Sequence, residues 1–215
     1  MVDDPNSKPD GYYGQGRADV VAELPHPIGR VLDVGCGEGA VGESLRAAGA
    51  AEVVGIEIVP DAAAIAAQQL DQVAVGAVED VLGRGEITGP FDTICCYDVL
   101  EHLAYPNEVL LQLRELAADG GRLHISIPNA RHFSLMRDLV FKGTFGYTDF
   151  GHRDNTHLRW YTRRDLIALV QDAGWNVQWV RSADFRGRDR QFDKVTFGRT
   201  REFITLQWHL LATAS

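Results

Sequence analysis

The chain has 215 residues, 45% hydrophobic and 24% charged, which are the proportions of one ordinary globular domain and exclude a disordered chain. Its formal charge of -9, from 21 basic and 30 acidic residues, argues against general nucleic-acid binding, and no apolar run approaches the ~20 residues of a membrane span. The acidic start Met1-Val2-Asp3-Asp4-Pro5 lacks the apolar segment of a secretory leader, and Cys36, Cys95 and Cys96 have no metal-type or redox spacing, so a reduced, cytoplasmic setting is expected.

The charge is uneven. Residues 1–100 carry 5 basic and 17 acidic side chains, and residues 101–215 carry 16 and 13, so the first half suits a partner with a cationic group. In chain order, Ala18–Leu24 has a short helical pattern closed by Pro25 and Pro27. Arg30–Val34 reads as a strand, broken by the turn Gly35-Cys36-Gly37-Glu38-Gly39 and followed by a helix ending near Gly49. Glu52–Glu57 is a second strand, Pro60 to Leu70 an Ala-rich helix, Val73–Val75 a third strand and Phe91–Cys96 a fourth. Pro106 to Ala118 reads as a helix ended by Gly120-Gly121, and Arg122–Ile127 as a fifth strand. Residues 129–161 interrupt the alternation with His, aromatic and Arg residues. Thr162 caps a helix running to Ala173, and Trp175–Val180 and Phe203–Leu211 are the last strands. The Arg-rich connection between them, Arg181 to Arg201, reads as a solvated loop, with an anionic acceptor group or a subunit contact in a homodimer as alternatives.

Strands alternating with helices predict a parallel sheet with right-handed crossovers. Ligands of such sheets bind at the carboxyl ends of the strands, so the segments after strands carry the functional expectations. In Val31-Leu32-Asp33-Val34-Gly35-Cys36-Gly37-Glu38-Gly39 the glycines permit a tight turn and a close approach to a ligand. Gly35, Gly37 and Ala40 also fit a loose dinucleotide pattern. Two carboxylates favour a different ligand. Asp33, ending the strand, needs a cationic partner if buried, and Glu38 would repel a pyrophosphate. A nucleoside with a charged amino-acid tail suits both.

These residues resemble motif I of the class I S-adenosylmethionine-dependent methyltransferases, and the resemblance runs from Tyr12-Tyr13 to the final strand. It implies a Rossmann-like α/β fold in a single domain, 1–215: a seven-stranded, mostly parallel sheet with an antiparallel last strand and helices on both faces. Residues 1–24 would form a lid segment and 129–161 an insertion covering the acceptor. Gly35, Cys36 and Gly37 would take the methionine part of the cofactor, Cys36 through its backbone. Glu57 would hold the ribose hydroxyls, Ile58 would pack on the adenine, and Glu79-Asp80 would accept from its amino group. Tyr13 would close over the cofactor, Arg17 would meet its carboxylate, and Tyr97 would border its methionine part.

After the fourth strand, Tyr97-Asp98-Val99-Leu100-Glu101-His102 is similar to the D/E-x-x-E-H segment of quinone-type O-methyltransferases. In a helical turn, Asp98, Glu101 and His102 share one face. Two oxygens and one nitrogen would suit Mg²⁺; alternatively the acids cap the turn and His102 alone faces the acceptor. Asp154-Asn155-Thr156-His157-Leu158-Arg159-Trp160-Tyr161-Thr162 resembles a segment of methyltransferases found with glycosyltransferase genes. His102 and His157 are the candidate bases, His132 a weaker one. An alcohol needs a base more than an amine does, so oxygen is the expected nucleophile, and the resemblance to methyltransferases found with glycosyltransferase genes implies a carbohydrate hydroxyl as the small-molecule acceptor. A phenol or quinone precursor is the alternative, with a nicotinamide oxidoreductase or a non-enzymatic binding module as readings of another class.

Overall fold

The computed structural model describes residues 16–149, 151–183 and 200–214. Seven strands form one sheet: β1 (Gly29–Val34), β2 (Ala50–Glu57), β3 (Gln72–Val75), β4 (Phe91–Tyr97), β5 (Ala117–Pro128), β6 (Trp175–Ser182) and β7 (Gln207–Ala214). Their spatial order is β3-β2-β1-β4-β5-β7-β6. The pairs among β1 to β5 are parallel, whereas β7 runs antiparallel to both β5 and β6. The chain winds outward from β1 to β3 and then returns to lay β4 on the other side of β1. This reversal opens a crevice at the carboxyl ends of β1 and β4.

The pleat sends alternate residues to opposite faces. Leu32, Val34, Ile94 and Cys96 meet one helical layer, α4 (Val78–Gly83), α5 (Pro106–Glu115) and α7 (Arg163–Asp172). Val31, Val53 and Cys95 meet the other, α1 (Ala18–Val21), α2 (Ala40–Ala47) and α3 (Pro60–Ala66). Cys95 and Cys96 are thus core residues on opposite faces, and burial pushes both thiols up. Among the described residues no helix is long and apolar enough to cross a membrane.

Three expectations shift. The helix from Pro106 stops at Glu115, and β5 already begins at Ala117, because Gly120 (φ +69°) turns within the strand rather than ending the helix. Phe203 belongs to a helical turn, α8 (Arg201–Ile204), so the last strand starts only at Gln207. The segment 129–161 is not all irregular: it contains α6 (Phe133–Lys142), whose N-cap is His132. The Thr162 cap is present as a reciprocal capping box with Asp165.

Candidate active site

The glycine turn leaves β1 with Gly35 at φ +72° and Gly37 at φ +55°. A side chain at Gly35 would also collide with Val99, whose Cγ2 lies 2.7 Å from where its Cβ would be. Most of the loop's donors are committed to the chain itself. Gly35 and Cys36 donate their N–H groups to Ile56 O, at 2.8 and 3.1 Å, and Gly39 donates to Cys36 O at 2.9 Å. Gly37 N–H donates to Glu57 Oε2 at 2.9 Å. A pyrophosphate site needs such N–H groups aimed outward; here they tie the loop to β2. Dinucleotide binding is therefore disfavoured.

Asp33 is 1% exposed, and its Oδ2 has no hydrogen-bond partner among the described residues. Burial, and then the neighbouring Glu57, push its carboxyl up to about 7. A ligand ammonium answers that deficit in both charge and hydrogen bonding. Glu57 is also buried, and its two oxygens receive Gly37 N–H and Val59 N–H. Each carboxylate oxygen keeps further acceptor capacity for a hydroxyl. Ile58, next to it, is 50% exposed at the strand end, a free apolar face beside a polar one. Glu79 stands half-buried in the first turn of α4. The Cys36 thiol is buried and pushed far up by that burial, which leaves the backbone as its means of contact. Tyr13 lies outside the described residues.

The acceptor end is assembled across the β4 carboxyl end. Leu100–His102 forms a single 3₁₀ turn. Leu158 N–H and Arg159 N–H both donate to Glu101 O, at 2.8 and 3.0 Å, and so tether the insertion to this turn. His157 is buried with its ring 4.8 Å from that of His102, edge to face, and its Nε2 is 4.0 Å from Glu101 Oε1. Glu101 is 2% exposed, and neither carboxyl oxygen has a hydrogen-bond partner among the described residues. Burial, reinforced by Asp98, raises its carboxyl well above the ordinary carboxylate range. His102 Nδ1 faces Thr156 O at 3.2 Å and Thr156 Oγ1 at 3.1 Å.

The comparisons with known proteins agree with this geometry. Residues 10–179 match the family model described as a methyltransferase domain. The chain is 34% identical over 199 residues to the ubiquinone biosynthesis O-methyltransferase of Xylella fastidiosa (strain 9a5c), covering 83% of this chain and 75% of that one. It is 33% identical over 181 residues to the protein of the same name in Xanthomonas axonopodis pv. citri, covering 76% and 70%. An S-adenosylmethionine-dependent methyltransferase of Thermotoga maritima has the same fold, with a TM-score of 0.64 at 17% identity over 92% of this chain and 87% of that one. The chain belongs to the S-adenosylmethionine-dependent methyltransferases.

Three residues of the methyltransferase are engaged by other parts of the chain. Arg17 does not point a free guanidinium at a cofactor carboxylate. It pairs with Asp98 Oδ2 at 2.5 Å and donates to Ser126 Oγ and Gln207 Oε1, at 3.0 and 2.9 Å. Asp98 is in turn removed from the expected metal set. Its φ is +55°, so the chain enters the 3₁₀ turn from a left-handed residue and the i, i+3, i+4 face never forms; Gln207 Nε2 also donates to its Oδ1 at 2.7 Å. Tyr97 is the third. Its ring is buried and its hydroxyl shares a 2.9 Å hydrogen bond with His124 Nδ1, so that its polar end is occupied inside the fold.

His157 takes the place of Asp98. Glu101, His102 and His157 each offer a ligand atom, all within 4.8 Å of one another. One oxygen and two imidazole nitrogens fit a borderline ion such as zinc better than Mg²⁺, which prefers oxygen. His132 stacks on His152 at 5.0 Å and caps α6, and Arg159 donates to Ala104 O at 2.6 Å; both hold the insertion in place. The sequence reading missed Thr156 and Asp154 as partners of His102. A threonine two residues after an aspartate is a local turn signal, and nothing in the spacing links it to a histidine 54 positions earlier.

Proposed function

We propose that the methyltransferase transfers a methyl group to a hydroxyl oxygen of a small aromatic acceptor, a phenol or quinone precursor, with His102 as the base. The observation that carries this reading is the paired histidines beside a buried carboxyl at the β4 end. An amine acceptor needs no such provision, whereas a hydroxyl is a poor nucleophile until its proton leaves. The names of the similar Xylella and Xanthomonas proteins support an aromatic hydroxyl over a carbohydrate one. So does the ring cluster on the insertion, where Phe145 lies 5.3 Å from Trp160 and 6.5 Å from Tyr147.

S-adenosylmethionine supplies an activated methyl on its sulfonium, which the acceptor oxygen would take by in-line attack on that carbon, with S-adenosylhomocysteine as the leaving group. The chain's part is to hold the two reactants and to take the proton. Asp33 would anchor the amino-acid ammonium, Glu57 the ribose and Ile58 the adenine, which leaves the sulfonium toward the β4 end. His102 would receive the hydroxyl proton as the new carbon–oxygen bond forms. Positioning accounts for up to about 7–11 kcal/mol of the acceleration. Alternatively, Glu101, His102 and His157 would hold a divalent ion, which would lower the pKa of a bound hydroxyl in place of proton transfer to His102.

Incubation with methyl-labelled S-adenosylmethionine and matched catechols, simple phenols, sugars and amines tests the acceptor. Label on phenolic oxygen is expected; label confined to sugar hydroxyls or to nitrogen overturns the aromatic reading. Repeating the assay in chelator, then restoring Zn²⁺, Mn²⁺ or Mg²⁺ singly, tests the ion. Full turnover in chelator removes it and leaves His102 acting alone.

A further inference from the structure

We infer that Asp154 and Thr156 are positioning residues that fix the tautomer of His102, and with it the ring nitrogen that does the chemistry. The inference rests on the proposed role of His102. Its structural half stands on four contacts. Thr156 N–H donates to Asp154 Oδ1 at 2.9 Å, and Thr156 Oγ1 donates to the same oxygen at 2.7 Å. His102 Nδ1 lies 3.1 Å from that Oγ1 and 3.2 Å from Thr156 O. Asp154 is 1% exposed, so the carboxylate end of the arrangement is buried, while Thr156 and His102 are half-buried.

The direction of each bond follows from chemistry. A carbonyl oxygen only accepts, so His102 Nδ1 must carry a hydrogen to bond Thr156 O. The hydroxyl could otherwise rotate and offer its hydrogen to the ring, favouring the opposite tautomer. Asp154 Oδ1 prevents this. It already accepts the backbone N–H, which marks it as the acceptor oxygen, and at 2.7 Å it takes the hydroxyl hydrogen as well. Thr156 Oγ1 then has only lone pairs to show the ring. Both oxygens of Thr156 therefore demand a hydrogen on Nδ1, and in the neutral ring Nε2 keeps its lone pair. Nε2 is the nitrogen that can accept a proton or bind an ion.

The relay also spans the two parts of the site. Asp154 and Thr156 lie on the insertion, and His102 on the turn after β4. The insertion thus reaches back to set the reactivity of a group belonging to the sheet. A partner that orients a metal-ligating histidine typically matters by about 10–100-fold when removed, and the same order is expected for a histidine that acts as the base.

The test is Thr156→Val, which keeps the branched shape and the carbonyl but loses the hydroxyl, with Thr156→Ser as the rescue. Nitrogen-15 spectra of the neutral His102 ring should show a protonated Nδ1 and an unprotonated Nε2 in the parent protein. Thr156→Val removes one of the two acceptors and leaves the carbonyl, so the other tautomer should rise to a minor but measurable share and kcat should fall by about a few-fold at unchanged KM; Thr156→Ser should restore both. Asp154→Ala, which frees the hydroxyl to turn, should shift the tautomer the same way, and Thr156→Val carries the test if that variant misfolds. A parent ring protonated on Nε2, or nitrogen shifts identical in parent and Thr156→Val, overturns the relay. Should the tautomer move while His102→Ala keeps its kcat, the relay stands and the base reading fails.

Discussion

The two ends of the crevice are built by different means. At the cofactor end, the turn after β1 is fastened to the neighbouring strand: Gly35 and Cys36 to Ile56, and Gly37 to Glu57, 20 residues on. Four of those five contacting groups are backbone, and their placement follows from parallel pairing of β1 with β2. At the acceptor end, backbone bonds to Glu101 tether the insertion, and the groups of the site are held by side chains reaching across distant segments. Arg17 reaches Asp98 and Gln207, and His102 reaches Thr156. Topology fixes the first end, while the second depends on which side chains find one another. Damage should accordingly separate: acceptor-end substitutions should slow turnover and leave cofactor binding alone, and cofactor-end substitutions should do the reverse.

The largest expected effect is at the acceptor end. His102→Ala should lower kcat by roughly 10²–10⁴-fold, the scale of a lost general base. Cofactor affinity measured by calorimetry should stay within a factor of two or so, since the residue has no part in the glycine turn. His157→Ala sharpens the point. It removes the ring packed 4.8 Å from His102 without touching Thr156. If kcat survives and only the melting temperature falls, His157 is packing and the three-residue ligand set is void. Loss of cofactor binding in either variant would erase the separation between the ends.

The next effect is at the other end. Asp33→Ala should weaken S-adenosylmethionine by about 100-fold, since it removes a buried charged partner. The kcat at saturating cofactor should remain close to the parent value. Glu79→Ala is the internal control. Glu79 is half-buried on the first turn of α4 rather than sealed under the loop, so its loss should cost only a few-fold. Equal losses from the two substitutions would mean that the cofactor is not anchored at Asp33.

The same contrast governs what could be read from the sequence. Asp33, Glu57 and the glycines were legible because strand ends and tight turns announce themselves locally, and a parallel sheet places them beside one another. The parallel sheet followed from the same alternation, and the antiparallel last strand from the family resemblance. Asp98 was misread because the periodicity argument assumed a helical turn, and one left-handed residue at φ +55° breaks it. Arg17 pairs with Asp98 because a guanidinium binds any carboxylate, and in this fold Asp98 lies within its reach. The Asp154–Thr156 pair was invisible because its partner is set by how the insertion folds back, which no local pattern encodes. Long-range side-chain exchange is the part of the site that sequence spacing does not carry.

The smallest of the expected effects is also the most specific to Asp33. Without cofactor its carboxyl titrates at about 7, because burial and Glu57 both oppose the charge. The ordinary value is 3.8, so between roughly pH 4 and 7 the folded chain holds a proton that the unfolded chain has lost. The sign follows: this group's contribution to stability is full below pH 4 and declines as the pH rises toward 7. A bound ammonium reverses the preference by favouring the carboxylate. Binding must then expel the proton at low pH, so cofactor affinity should rise by about tenfold between pH 6 and pH 8, following the ionised fraction of a group titrating near 7. Calorimetry in buffers of different ionisation enthalpy reads both the affinity and the proton release. Thermal melts of the free protein should fall between about pH 4 and 7, and those of the saturated protein should not. Asp33→Asn should flatten both profiles, since an amide has no proton to lose. A parent affinity that is level from pH 6 to 8 would mean that Asp33 is already charged in the free protein, and the glycine turn would need another explanation for its selectivity toward a cationic ligand.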